Sequence, residues 1–189
     1  MQRVLAYLQH TSDRPLMLRP DSGTGVLLYS DASWSDCFST SGGIIYVHGC
    51  AVLWYSRRQR TVSHSTAEAE YIAASMAARE GEYLRAVYAE MTRASFGPTP
   101  MLMDSKSAID MAHDPVALKK TKHIMREAIY LCDLVARLVF QPRHVPSEKQ
   151  LADILTKALP RTQFVIIRDQ ILLRPDPVRI SVSQDGHGM

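Results

Sequence analysis

The segment from about Thr66 to about Arg93 constrains the fold more than any other. Ile72, Ala73, Met76, Tyr83, Leu84, Val87 and Met91 recur there at helical spacing. Ser65 stands three residues before Glu68, a capping-box pattern that marks the helix start. Gly97-Pro98 closes the region. A helix of this length needs a broad apolar surface to lie on, and three runs upstream supply one. Val26 to Tyr29 is continuously apolar and ends in Ser30 and Asp31, as a buried strand does. Gly42 to His48 and Ala51 to Tyr55 read as two further strands, joined through His48-Gly49-Cys50 as a hairpin.

Beyond the long helix the pattern alternates. Pro100 to Met103 is a short strand that stops at Asp104, and Ser105 to His113 is a short helix ended by Asp114-Pro115. A helix from about Thr121 to about Arg137 precedes a final strand, Leu138 to Gln141. Ser147 to Gln150 repeats the capping-box pattern and predicts a helix containing Leu151, Ile154, Leu155 and Ala158, interrupted by Pro160, with Phe164 to Leu172 as a further helix. The order β-β-β-α-β-α-α-β-α predicts an α/β fold with a five-stranded mixed sheet. Three antiparallel strands are followed by two parallel additions, with helices on the faces. Residues 1–20 read as a leftover with a short amphipathic helix around Val4, Leu5, Tyr7 and Leu8, and the tail from 174 to 189 reads as loose.

Composition removes several function classes. No apolar run approaches a membrane span, and MQRVLAYLQH is no secretory signal. Cys37, Cys50 and Cys132 form no CxxC pair, which argues against a zinc site or a disulfide scaffold and for a reducing compartment. The net charge of +3 is mild, but it is unevenly spread. Arg57, Arg58, Arg60 and His64 form one basic group, and Lys119, Lys120, Lys122, His123 and Arg126 a second. On charge alone each reads as well as a solvated face.

Four carboxylates stand where side chains can converge. Asp31 ends the first strand, Glu70 lies in the second turn of the long helix, Asp104 ends the strand PMLMD, and Asp153 lies early in the helix after the last strand. Strand ends and helix starts meet at one edge of an α/β sheet. Acids gathered there repel one another unless a divalent cation neutralises them. Locally, Asp104 is equally a cap for the helix at Ser105, and Asp153 equally a first-turn acid complementing the helix dipole. Glu68 is accounted for by the capping box; Glu70 has no such local task and is assigned to chemistry.

The segments YSDASW, STSGG, AVLWYSRRQRTVSHSTAEAEYIA, MLMDSKSAIDMA, TKHI and HVPSEKQLADILTKALP together resemble, in order and spacing, the ribonuclease H domain of copia-type LTR retrotransposon Pol polyproteins. The resemblance runs from about Leu27 to about Leu173. It implies a ribonuclease H-like domain over 21–173, with residues 1–20 as the remnant of the segment connecting it to a reverse transcriptase. It implies Asp31, Glu70, Asp104 and Asp153 as both the catalytic and the metal-binding set, holding two Mg2+ ions, with Mn2+ an alternative. Asp31 would bridge the ions, Asp153 would hold the one that activates water, and Glu70 and Asp104 would hold the other. The implied reaction is hydrolysis of the RNA strand of an RNA–DNA hybrid in an intracellular compartment, cytoplasm or nucleus. Arg57, Arg58, Arg60, Ser63 and Ser65 are the candidate nucleic-acid contacts, with the 119–126 group a second surface. His144 is an auxiliary candidate that alternatively ends the last strand. The stretch between Trp34 and Ser39 is shorter than the family's usual one. Two competing readings are a catalytically inactive or domesticated binding remnant of the same fold, and an integrase or transposase, which lacks support because no upstream His/Cys module is present.

Overall fold

The computed structural model describes residues 2–20, 25–94, 96–114 and 124–172. The tail at 174–189, the turn at 21–24 and the basic residues Lys119, Lys120, Lys122 and His123 lie outside them.

Three consecutive strands, β1 (Val26–Ser33), β2 (Thr40–Val47) and β3 (Cys50–Arg58), pair antiparallel. Two later strands, β4 (Thr99–Met103) and β5 (Phe140–His144), add in parallel beside β1. The resulting order is β3-β2-β1-β4-β5, the mixed five-stranded sheet expected from the sequence.

Strand alternation divides the core. On one face Val26, Leu28, Ile45, Met101, Met103 and Phe140 pack under α2 (Thr66–Thr92), α3 (Lys106–His113) and α4 (Met125–Ala136). On the other, Tyr29, Ile44, Tyr46 and Leu102 meet Leu151, Ala152 and Ile167 from the C-terminal segments. The face of α2 toward the sheet is built of Ala69, Ala73, Ala74, Ala77, Ala78 and Gly81, so the helix lies close. A Cβ on Gly81 would stand 2.7 Å from Leu28 Cδ2.

Ser65 caps α2 by accepting from the Glu68 backbone N–H at 3.2 Å, and Glu68 reaches back to the His64 N–H at 2.7 Å. The helix ends at Arg93, left-handed at φ 55°, whose N–H bonds Ala89 O. The apolar stripe read from the sequence is only partly buried. Tyr83 is 65% and Met91 78% exposed. At 1.5 Å per residue the 27-residue helix outruns strands of five to nine residues, so its second half passes beyond the sheet.

Two further expectations change. The last strand is displaced toward the C-terminus, beginning at Phe140 and ending at His144, because Leu138 takes a left-handed turn at φ 56° before it. The predicted helix after it is two short 3-10 turns, Ser147–Lys149 and Leu151–Leu155, followed by α5 (Arg161–Leu172). The N-terminal helix, α1 (Gln2–His10), buries no residue and touches the body through Tyr7, edge-on to Phe164 at 5.9 Å between ring centroids.

Candidate active site

Asp31 lies within β1, not at its end, because pairing with β2 continues to Ser33. The parallel register with β4 sets Tyr29 beside Leu102. Two residues further along each chain, on the same face, stand Asp31 and Asp104. Glu70, on the second turn of α2, comes down onto this edge, and its Oε2 accepts from the Ala32 backbone N–H at 3.1 Å. One carboxylate oxygen from each of Asp31, Glu70 and Asp104 lies within 4.8 Å of the others. Asp31 is fully buried and Glu70 nearly so, while Asp104 is half-buried.

Asp153 reaches the same edge by a different route. It sits in the second 3-10 turn, and the Lys157 ammonium joins it to Asp31, with Nζ 2.8 Å from Asp153 Oδ1 and 3.1 Å from Asp31 Oδ1. The Thr156 hydroxyl donates to the other oxygen, Asp31 Oδ2. The segment comes so near because Gly42, the β2 partner of Asp31, has no side chain. A Cβ there would stand 2.7 Å from Thr156 Cγ2 and 2.9 Å from Leu155 Cβ.

The predicted capping box at Ser147 and Gln150 is put to another use. Ser147 Oγ donates to Asp104 Oδ2 at 3.1 Å. The fully buried Gln150 donates through Nε2 to Ser30 O at 2.9 Å and accepts from the Ala152 N–H at 3.2 Å. Both residues therefore tie the C-terminal segment to the sheet beside the acids. Sequence reasoning missed Gln150, Thr156 and Lys157. The four-residue interval between Asp153 and Lys157 was the available signal, since residues so spaced on a helical turn face one another.

Electrostatics follow from this crowding. Burial, opposed by Thr156 and Lys157, pushes Asp31 up to about 6. Burial together with the charges of Asp31 and Asp104 pushes Glu70 up to about 9. Burial would lower the Lys157 ammonium, but Asp153 and Asp31 more than reverse this and raise it. Three converging carboxylate oxygens are hard donors of the kind that fits a divalent cation.

The predicted nucleic-acid contacts fall in different places. Arg57 and Arg58 close β3 with side chains on opposite faces of the sheet. Arg57 pairs with Glu80 at 2.6 Å, and Arg58 covers the Phe38 ring at 4.5 Å; Arg60 is exposed beyond the strand. Ser63 is buried, its hydroxyl bonded to Gln59 Oε1 at 3.2 Å and to the Ser39 hydroxyl at 3.1 Å. The Ser65 hydroxyl serves the helix cap. The structure thus gives both serines local structural tasks where the sequence suggested substrate contact. His144 is exposed and ends β5, paired in register with Met103, the residue before Asp104.

A sheet of this order, with acids from β1, α2 and the end of β4 at one edge, defines the ribonuclease H fold. The N-terminal RNase H domain of a Mycobacterium tuberculosis protein, solved as a fusion with maltose-binding protein, superimposes with a TM-score of 0.53 at 13% identity, over 78% of this chain and 99% of that one. RNase H1 isolated from compost by metagenomics gives a TM-score of 0.53 at 18% identity, over 70% and 93%.

In sequence the chain is a homologue of one segment of the copia-type Pol polyproteins. It is 30% identical to the retrovirus-related Pol polyprotein from transposon RE2 of Arabidopsis thaliana over 168 residues, 87% of this chain and 12% of that protein. With the corresponding polyprotein from transposon TNT 1-94 of Nicotiana tabacum it shares 28% over 174 residues, 89% of this chain and 13% of that one. The chain therefore spans about an eighth of the length of these relatives. No protein-family profile matches it.

Proposed function

We propose that this chain is a divalent-metal-dependent endoribonuclease that hydrolyses the RNA strand of RNA–DNA hybrids in the reverse transcription of a retroelement. The observation that carries the reading is the Asp31–Glu70–Asp104 cluster at the edge of a ribonuclease H sheet. Asp31, Glu70, Asp104 and Asp153 would hold two Mg2+ ions, or Mn2+ in their place. Bound there, such ions supply a water of lowered pKa and neutralise charge on the departing 3′ oxygen.

The chain's own groups do the positioning. The Ala32 N–H fixes Glu70, Ser147 fixes Asp104, and Thr156 fixes one Asp31 oxygen. Glu70 would hold the ion as its carboxylate, oriented by the Ala32 N–H. The water and the phosphodiester provide nucleophile and leaving group, so no covalent intermediate with the protein is required.

Substrate recognition is proposed through phosphates and 2′-hydroxyls. Arg58 and Arg60 are the better placed of the basic candidates, at the end of β3 about 10 Å, two strand spacings, from the Asp31 end of β1. Arg57 is held by Glu80 and contributes only if that pair opens. The exposed His144, one strand from Asp104, is kept as the auxiliary candidate. Residues 1–20 would connect to a reverse transcriptase domain of the same polyprotein, with activity in the cytoplasm or nucleus.

The test is cleavage of a labelled RNA–DNA hybrid in Mg2+, compared with EDTA and with Asp31→Asn. Metal-dependent cleavage by the parent and none by the variant is expected. Absence of cleavage by the parent would favour an inactive, nucleic-acid-binding remnant of the same fold.

A further inference from the structure

The acids form two unlike pockets around Asp31. In the first, Asp31, Glu70 and Asp104 face one another, and among the described residues Glu70 accepts from the Ala32 N–H and Asp104 from the Ser147 hydroxyl. In the second, Asp31 and Asp153 share one ammonium, that of Lys157. This is a built arrangement. The Lys157 backbone N–H bonds Asp153 O at 3.0 Å, closing the turn that carries both residues. Gln150 anchors that turn to Ser30, and Gly42 lets it approach. The lysine side chain remains 37% exposed, so its ammonium has a path to water that requires no unfolding.

We propose, building on the metal-site reading above, that Lys157 is a tethered cation occupying the Asp31–Asp153 pocket, so that the resting protein takes one divalent ion at Asp31–Glu70–Asp104 and accepts a second only as Lys157 swings out. The two occupants exclude each other on geometry. The ammonium stands 2.8 and 3.1 Å from its carboxylate oxygens. A magnesium–oxygen bond is about 2.0–2.1 Å. Exchange therefore draws the two carboxylates inward while the lysine leaves. The tether makes its cation effectively concentrated, and a free ion has to compete with it.

The consequence is a count. The full chain, stripped with EDTA and titrated with Mn2+ in a calorimeter, binds one ion in the accessible concentration range. Lys157→Gln and Lys157→Ala bind two, with affinity for the second ion raised about tenfold or more, the scale of an ordinary coupling between sites. A second measurement uses the parent protein alone. The 15N signal of the Lys157 ammonium, assigned by its absence in Lys157→Gln, persists through the first equivalent of Mg2+ and is lost only in large excess of Mg2+, where a second ion displaces it. Equal ion counts in parent and variants, or loss of the ammonium signal with the first equivalent, overturn the role given to Lys157. Those outcomes leave the carboxylate site intact. Binding of no ion by any of the proteins overturns the metal-site reading itself, and the tethered cation with it.

Discussion

The two pockets that meet at Asp31 are built from different parts of the fold. The Asp31–Glu70–Asp104 pocket is framed by β1, β4 and the start of α2, elements locked by sheet pairing and by the small-residue face of α2. The Asp31–Asp153 pocket depends on a 3-10 turn held by one buried glutamine, one glycine gap and one lysine. The first concentrates negative charge, and burial with the charges of Asp31 and Asp104 pushes Glu70 up to about 9. The second relieves it with an internal cation. Rigid secondary structure can thus hold like charges together, whereas a short turn does so with a neutralising partner of its own.

Changes at the shared residue should have the largest effect. Asp31→Asn removes a carboxylate from both pockets and is expected to lower hybrid cleavage by about a hundred- to a thousandfold, the scale of losing a principal electrostatic contact in a reaction centre. Steady-state cleavage rates check this.

Next is a pH effect centred on Asp31 and Glu70. The folded-state pKa values of Asp31 and Glu70 are raised, to about 6 and about 9. Their protonated forms therefore contribute stability that is fully present below the ordinary carboxylate range, near pH 4, and is lost as pH rises through about 6 and then about 9. The metal-free chain should melt at progressively lower temperature across that window. Glu70→Gln should flatten the upper part of the curve and raise Tm at pH 8, each kcal/mol counting for about 2–4 °C in a domain of this size. Thermal melts in EDTA over a pH series measure both, and a divalent ion should restore the parent but not the variant.

A smaller change separates the pockets. Gly42→Ala places a methyl against Thr156 and Leu155 and should cost about 1–3 kcal/mol as the turn retreats. The Lys157 contact should loosen while the first pocket keeps its geometry. Chemical denaturation gives the stability, and the Lys157 ammonium signal reports the contact. The smallest effect belongs to Ser147→Ala, which deletes one hydrogen bond to Asp104 and should cost about 0.5–1.5 kcal/mol in denaturant unfolding.

The first pocket was largely legible in the sequence because periodicity encodes it. The apolar run before Asp31, the short strand before Asp104 and the capping box that separates Glu68 from Glu70 each reflect local backbone geometry, and the mixed character of the sheet followed from the order of the elements. The second pocket was hidden because its determinants are long-range. Gln150 looks like the third residue of a helix cap until it meets Ser30, and Gly42 like an ordinary strand glycine until Thr156 lies over it. The 3-10 turns escaped notice for the same reason, since the tertiary bonds of Ser147 and Gln150 displaced the helix that the local pattern favours. Clustering in sequence is not clustering in space: Arg57 and Arg58 are neighbours along the chain, but strand alternation sends them to opposite faces.

The most direct test of the account is an anomalous-difference map from a crystal of the full chain soaked in Mn2+. It should contain a peak within bonding distance of carboxylate oxygens from Asp31, Glu70 and Asp104. A map with no manganese there, at a concentration that supports cleavage of hybrid, would contradict it.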